Sequence, residues 1–323
     1  MTASQTEEFL INEDIIKRFM SLSARSRLAH AYLFIGPQYI GKKETALAIA
    51  KRFNCQTQDS CGKCTNCKMI QSSNHPDVFK VFHDAGEIIS IQDIRELLKN
   101  VCMRPFMSKY KIFIISNVED MTKEASNAFL KTLEEPAGNS IFFLTTSAPE
   151  KLLDTLKSRC HLMTFPSLDK DKLANRLIKY YDDVPEKAHL LASFSEGCWG
   201  RAKYLKQSKF FDYREDIINN FFFICADDNY IKKILSDKLK TKEFLDIVLS
   251  WLHDAILVKF YINEQYLVNF DKKDILDKFT QEYSLKELQE LYKTAVDMRR
   301  LLAENLNIKL SILLLKEQLW TRI

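Results

Sequence analysis

The segment Gly36-Pro37-Gln38-Tyr39-Ile40-Gly41-Lys42-Lys43 follows a compact apolar run at residues 30–36 and opens a stretch of helical character at 42–53. A loop of this pattern between a strand and a helix cradles phosphate oxygens with its backbone N–H groups, while its lysine reaches the β- and γ-phosphates. Gly36, Gly41 and Lys42 fit the GxxxxGK pattern of a Walker A loop. The next position should carry a hydroxyl to ligate magnesium; here it is Lys43, a cation. Thr45 lies two residues further on, where the helix turns it elsewhere. A second strand should end in an acid that holds the metal. The run at 112–116 leads instead to Ser116 and Asn117, and Glu119 and Asp120 fall past the expected strand end. The expectation is a decayed phosphate site, inactive in hydrolysis, with weak nucleotide binding left open.

A second chemistry is written in cysteines. Cys61, Cys64 and Cys67 stand at two-residue gaps, with Cys55 nearby. Four thiolates at such spacing supply a tetrahedral structural zinc site, and a short polar loop gains folding energy from the metal. Four protein ligands leave no open position, so no catalysis is expected there. His75 is a substitute candidate for the fourth ligand, although His75-Pro76 better suits the turn before the next strand. Cys102, Cys160, Cys198 and Cys225 are scattered and read as small buried side chains.

Buried strands separated by helices must position these groups. Apolar or β-branched runs at 30–36, 77–82, 112–116, 141–146 and 162–165 read as strands. Helical spacing appears at 42–53, 90–102 and 122–135, the second with Ile91, Ile94, Leu97, Leu98 and Val101 on one face. Such alternation implies an α/β domain with a parallel sheet between helices. After Pro166 the pattern becomes almost wholly helical. Ser284-Leu285-Lys286-Glu287 is a capping box, and it opens a stripe of Leu285, Leu288, Leu291, Ala295, Met298, Leu302 and Leu306 that suits a bundle core.

The bulk numbers agree. A chain of 323 residues with 46% hydrophobic content suits two or three domains, and seven glycines and seven prolines disfavour a turn-rich all-β fold. The net charge of +4, from 47 basic and 43 acidic residues, does not advertise direct nucleic-acid binding. Residues 1–8 are polar and acidic, unlike a targeting segment, and the apolar run at 221–226 is too short to span a bilayer. The chain therefore reads as cytoplasmic, without a membrane role and without disulfides.

One order of motifs points to a family. His30-Ala31-Tyr32-Leu33-Phe34, the altered phosphate loop, the cysteine insert, the run from Asn127-Ala128-Phe129-Leu130 to Leu133-Glu134-Glu135-Pro136, and Ser158-Arg159-Cys160 follow one another. This resembles the bacterial clamp-loader AAA+ subunits, of gamma/tau or delta-prime type, with specific motifs over about 28–165 and only helical character and length beyond. The resemblance implies an AAA+ P-loop domain (1–166), a small helical lid (167–208) and an all-α collar (209–323). It implies a hetero-pentamer with gamma/tau and delta subunits that places a sliding clamp on primed DNA in replication. Lys43, Ser116 and Asn117 put the chain with the delta-prime type, whose own phosphate site is commonly damaged. The resemblance makes Arg159 a trans-acting finger for the γ-phosphate held by the adjacent subunit. It also makes Thr145 and Thr146 possible phosphate sensors, although strand-end threonines also satisfy backbone groups. Arg201 sits where the lid's second sensor would be, and either touches phosphate or solvates a helix start.

Three rival readings are weaker. An active gamma/tau-type ATPase requires the missing magnesium ligands, and so does an unrelated P-loop kinase. A zinc-containing nucleic-acid-binding protein should have a basic, aromatic-lined cysteine loop. Between Cys61 and Lys68 only Lys63 and Lys68 are cations, and no aromatic is present.

Overall fold

A computed structural model describes residues 12–25, 27–57, 59–83, 86–136, 139–181, 184–224, 227–304, 306 and 308–320. Cys225 and the polar start at 1–8 lie outside the described residues. The chain divides into two compact units, Met1–Leu173 with Glu196–Arg201, and Ala174–Ser195 with Ala202–Ile323.

The first unit is built on five parallel strands: β1 Ala31–Ile35, β2 Val78–Val81, β3 Lys111–Ile115, β4 Ser140–Thr146 and β5 His161–Thr164, in the order β2-β3-β4-β1-β5. Helices α1 Glu13–Ala24, α2 Lys42–Asn54, α3 Thr65–Gln71, α4 Ile91–Lys99, α5 Lys123–Glu134 and the short α6 Asp154–Lys157 surround it. Strand alternation divides the apolar side chains between two cores. Tyr32, Phe34, Ile112, Ile114, Ile141 and Phe143 join Phe19 and Ile49 on one face. Leu33, Phe113, Ile115, Phe142 and Leu144 join Ile94, Leu97 and Phe129 on the other. Rings of Phe79, Phe113 and Phe142 stack across β2, β3 and β4 at centroid distances of 5.0 and 4.9 Å.

The expected helix at 90–102 ends at Lys99, and Ser90 and Asp93 form its capping box. The backbone beyond is held by Asp77, fully buried, whose carboxylate accepts N–H bonds from Phe106, Met107 and Ser108 at 2.7, 2.9 and 3.0 Å. The fifth strand exists, but it is an edge rather than a buried strand: Leu162 is 53% exposed because only β1 flanks it.

The second unit is helical. Its long helix, Lys238–Lys259, buries Phe244, Ile247, Val248, Trp251 and Leu252. The capping box at Ser284 and Glu287 starts the helix Leu285–Ala303, which buries Leu288, Leu291, Ala295 and Met298. Leu285 and Leu302 are half-buried. Leu306 departs from the expected core stripe: it lies past the helix end and is exposed. A polar network runs from the buried Asp254, Asn269 and Arg214 of this unit out to the exposed Asp271. Asp254 accepts from the Asn269 N–H and amide, and Asn269 in turn accepts from Arg214, which also pairs with Asp271 at 2.7 Å.

Candidate functional site

The altered phosphate loop lies between β1 and α2, at the C-terminal edge of the sheet. Gly36 is required by close approach, since a Cβ there would stand 2.6 Å from the Phe165 carbonyl oxygen. Gly41, the residue before α2, holds the left-handed conformation at φ 92°, which other residues enter at a cost. A cleft of about 180 Å³ opens beside the loop, lined by Gln38, Tyr39, Gly41, Lys42, Lys43, Glu44, His83, Ser116, Asn117 and Thr145. Sequence reading thus named most of its chemistry-bearing residues; Arg201 and Arg159 lie outside that lining.

Lys42 is 7% exposed, and its ammonium donates to the Gly36 and Pro37 carbonyls at 2.5 and 2.7 Å. Burial pulls its pKa down to about 8, against the opposing pull of Glu119, Cys198 and Glu44. Lys43, at the metal-ligand position, sets its ammonium over the Phe82 ring at 5.1 Å. Thr45 faces away, as its spacing predicts. Its hydroxyl donates to the Gly41 carbonyl and accepts from the Asn12 amide at 2.9 Å.

At the end of β3, Ser116 donates to the Val81 carbonyl at 3.4 Å, and the Asn117 amide to the His83 carbonyl at 3.1 Å. Asn117 sits at φ 54°. Thr145 accepts from the Asn117 N–H at 3.3 Å, and Thr146 from the Ala148 N–H at 3.1 Å. Glu119 folds across to β4, where one carboxylate oxygen accepts from the Ser147 N–H and hydroxyl at 2.9 and 2.8 Å. Its other oxygen is enclosed without a hydrogen-bond partner. Arg201 stands 3.9 Å from the Glu196 carboxylate. Sequence reading misses the parts played by Glu119 and Asn12, because they depend on contacts far along the chain with no spacing signature.

Cys55, Cys61, Cys64 and Cys67 converge, their sulfur atoms all within 4.8 Å of one another. Zinc–sulfur bonds of about 2.3 Å in a tetrahedron place sulfurs about 3.8 Å apart, so the cluster fits a metal with little adjustment. The Cys64 and Cys55 sulfurs are 4.0 Å apart. Backbone N–H groups of Cys61, Cys64 and Cys67 each reach the preceding cysteine sulfur at 3.4 Å, a pattern that favours thiolates. Burial opposes ionisation of Cys55, but hydrogen bonds from Thr57 and the Cys61 N–H outweigh it and its pKa falls to about 6. His75 is not a member of the cluster. It is buried, and its Nδ1 accepts from the Asp77 N–H at 3.1 Å, which fixes the turn before β2. Of the scattered cysteines, Cys198 is buried and Cys160 lies against the core, whereas Cys102 is exposed, contrary to expectation.

Arg159 follows α6 and precedes β5. Leu156 and Cys160, packed against the core on either side, anchor its backbone. Its guanidinium donates to the Thr155 carbonyl at 2.8 Å and pairs with the Glu134 carboxylate. The side chain stays 32% exposed.

Comparison with known proteins identifies the family. The model described as DNA polymerase III, delta subunit, matches residues 11–169, and the one described as DNA polymerase III, delta subunit, C terminal, matches 208–321. The chain is 29% identical over 322 residues to DNA polymerase III subunit delta-prime of Bacillus subtilis, covering 96% of each chain. It is 35% identical over 179 residues to DNA polymerase III subunit tau of Escherichia coli, covering 53% of this chain and 28% of that one. A DNA polymerase III gamma subunit-related protein from Thermotoga maritima shares the fold, with a TM-score of 0.50, 19% identity, and coverage of 94% of this chain and 99% of that one. With two family models matching in sequence along most of its length and a delta-prime relative aligned nearly end to end, the chain belongs to the delta-prime family of DNA polymerase III clamp-loader subunits.

Proposed function

We propose that this chain is a wall of the loader ring: a subunit that does not hydrolyse ATP itself but lends Arg159 to the ATP held by its neighbour. The observation that carries the reading is the state of Lys42. Its ammonium is spent on the loop's own carbonyls, and Lys43, Ser116 and Asn117 stand where metal ligands would be needed. A cleft without a magnesium anchor gains little from phosphate chemistry. Arg159 supports the second half of the reading. It is half-buried on an anchored backbone just before an edge strand, with part of its guanidinium open to meet charge developing on a phosphoryl group.

In this reading the chain has an AAA+ module (1–166), a lid (167–208) and a collar (209–323). It joins gamma/tau and delta subunits in a hetero-pentamer, acts on a sliding clamp and primed DNA through that assembly, and works in the cytoplasm. Among the described residues, no helix is long and apolar enough to cross a membrane. Thr145, Thr146 and Arg201 keep the places of phosphate sensors but serve local structure. Cys55, Cys61, Cys64 and Cys67 would hold zinc, which supplies folding energy to the insert and no chemistry.

Three outcomes test this. Between pH 8 and 10.5 the unfolded chain keeps the Lys42 proton that the folded chain has released, so this group adds stability as pH rises through that window. The stability of the native chain relative to Lys42→Met, measured by urea unfolding, should therefore rise by up to about 3 kcal/mol from pH 7.5 to pH 10.5. A flat difference contradicts the buried lysine. Metal analysis should find about one zinc per chain, lost in Cys64→Ser together with thermal stability; full stability without metal contradicts the zinc reading. In a reconstituted loader, Arg159→Ala should lower turnover at the adjacent ATP site by roughly 10³-fold while the assembly stays intact. Unchanged turnover in a confirmed assembly counts against the finger.

A further inference from the structure

Glu134 is the last residue of α5, where a carboxylate meets the partial negative charge of a helix C-terminus. That position is unfavourable unless a cation compensates, and the cation here is Arg159, which comes from 25 residues along the chain. Two acceptors hold the guanidinium: the Glu134 carboxylate takes one terminal nitrogen and the Thr155 carbonyl the other. The Arg159 Nε is buried and has no hydrogen-bond partner among the described residues, so the inner edge of the group faces the protein and its terminal nitrogens face outward. Both members of the pair remain reachable from solvent, at 32% and 51% exposure. In the free chain two hydrogen bonds thus favour this orientation of the long arginine side chain.

We infer that Glu134 is a positioning residue for Arg159: it holds the guanidinium presented on the surface so that a neighbour's phosphate meets a group already ordered. The inference rests on the finger reading above and names a residue that the reading left without a role. A guanidinium has five N–H donors, and the two bonds seen here leave terminal hydrogens free for phosphate oxygens. Ordering before encounter removes a cost that would otherwise fall on the reaction itself. Glu134 touches neither ATP nor metal in this scheme and acts only through Arg159.

The test uses the full reconstituted loader, with assembly followed by gel filtration and ATP turnover measured across ATP concentrations. Glu134→Ala should lower kcat roughly three- to tenfold at unchanged KM for ATP. Glu134→Gln keeps an acceptor oxygen and should restore much of the loss. In an Arg159→Ala background, Glu134→Ala should have no further effect, which a merely structural role would not produce. If Arg159→Ala is impaired while Glu134→Ala turns over like the native loader, the positioning role is wrong and the finger stands. The positioning role is equally wrong if the two losses multiply in the double variant, or if Glu134→Gln turns over faster than the native loader, as release of an inhibitory latch would require. If Arg159→Ala itself is unimpaired, the finger fails and the positioning role fails with it.

Discussion

An ammonium taken out of water needs acceptors, and the Lys42 side chain finds them in the Gly36 and Pro37 carbonyls of its own loop. Burial of an unpaired cation costs several kcal/mol, so this arrangement satisfies a group that a bound phosphate would otherwise satisfy. The loop around it is equally constrained. Gly36 fits only because it lacks a Cβ near Phe165, and Gly41 supplies the left-handed turn into α2. Asn12 locks Thr45, and Ser116, Asn117, Thr145 and Thr146 spend polar atoms on nearby backbone groups. The loop keeps the strand–loop–helix arrangement of a phosphate-binding pattern while these polar atoms are engaged within the protein.

Much of this is legible in sequence because it depends on residue type and local spacing. β-branched and aromatic runs mark all five strands, and Lys43, Ser116 and Asn117 announce the missing metal ligands by chemistry alone. The four cysteines are legible for the same reason, and convergence of their sulfurs includes Cys55 and leaves the substitute candidate His75 outside the cluster. What spacing cannot reveal is non-local. Glu119 reaches Ser147 across the sheet edge, and Glu134 meets Arg159, through contacts 28 and 25 residues apart. Leu162 is placed in the sheet by its pattern but not at the edge, since strand order is a tertiary property. Leu306 continues a helical stripe on paper, but the helix has already ended at Ala303.

The altered cleft and the half-buried Arg159 are carried by one sheet. Magnesium chemistry needs carboxylates or hydroxyls placed within a bond length of the ion, and in the proposed reading Lys43, Ser116 and Asn117 do not supply them while the sheet that carries the loop is intact. Arg159 sits on that same sheet's edge, where Leu156 and Cys160 tie its backbone to the core. A scaffold can therefore lose its own reaction and still position a charge for another.

Loss of hydrolysis in the cleft is tested most directly by steady-state ATP turnover of the purified chain alone, with magnesium and primed DNA, beside a Lys42→Ala control. The expected result is no turnover above the control. Turnover that Lys42→Ala abolishes would contradict the non-hydrolysing wall, because it would mean that other groups have replaced the missing magnesium ligands and that the cleft is an active ATP site.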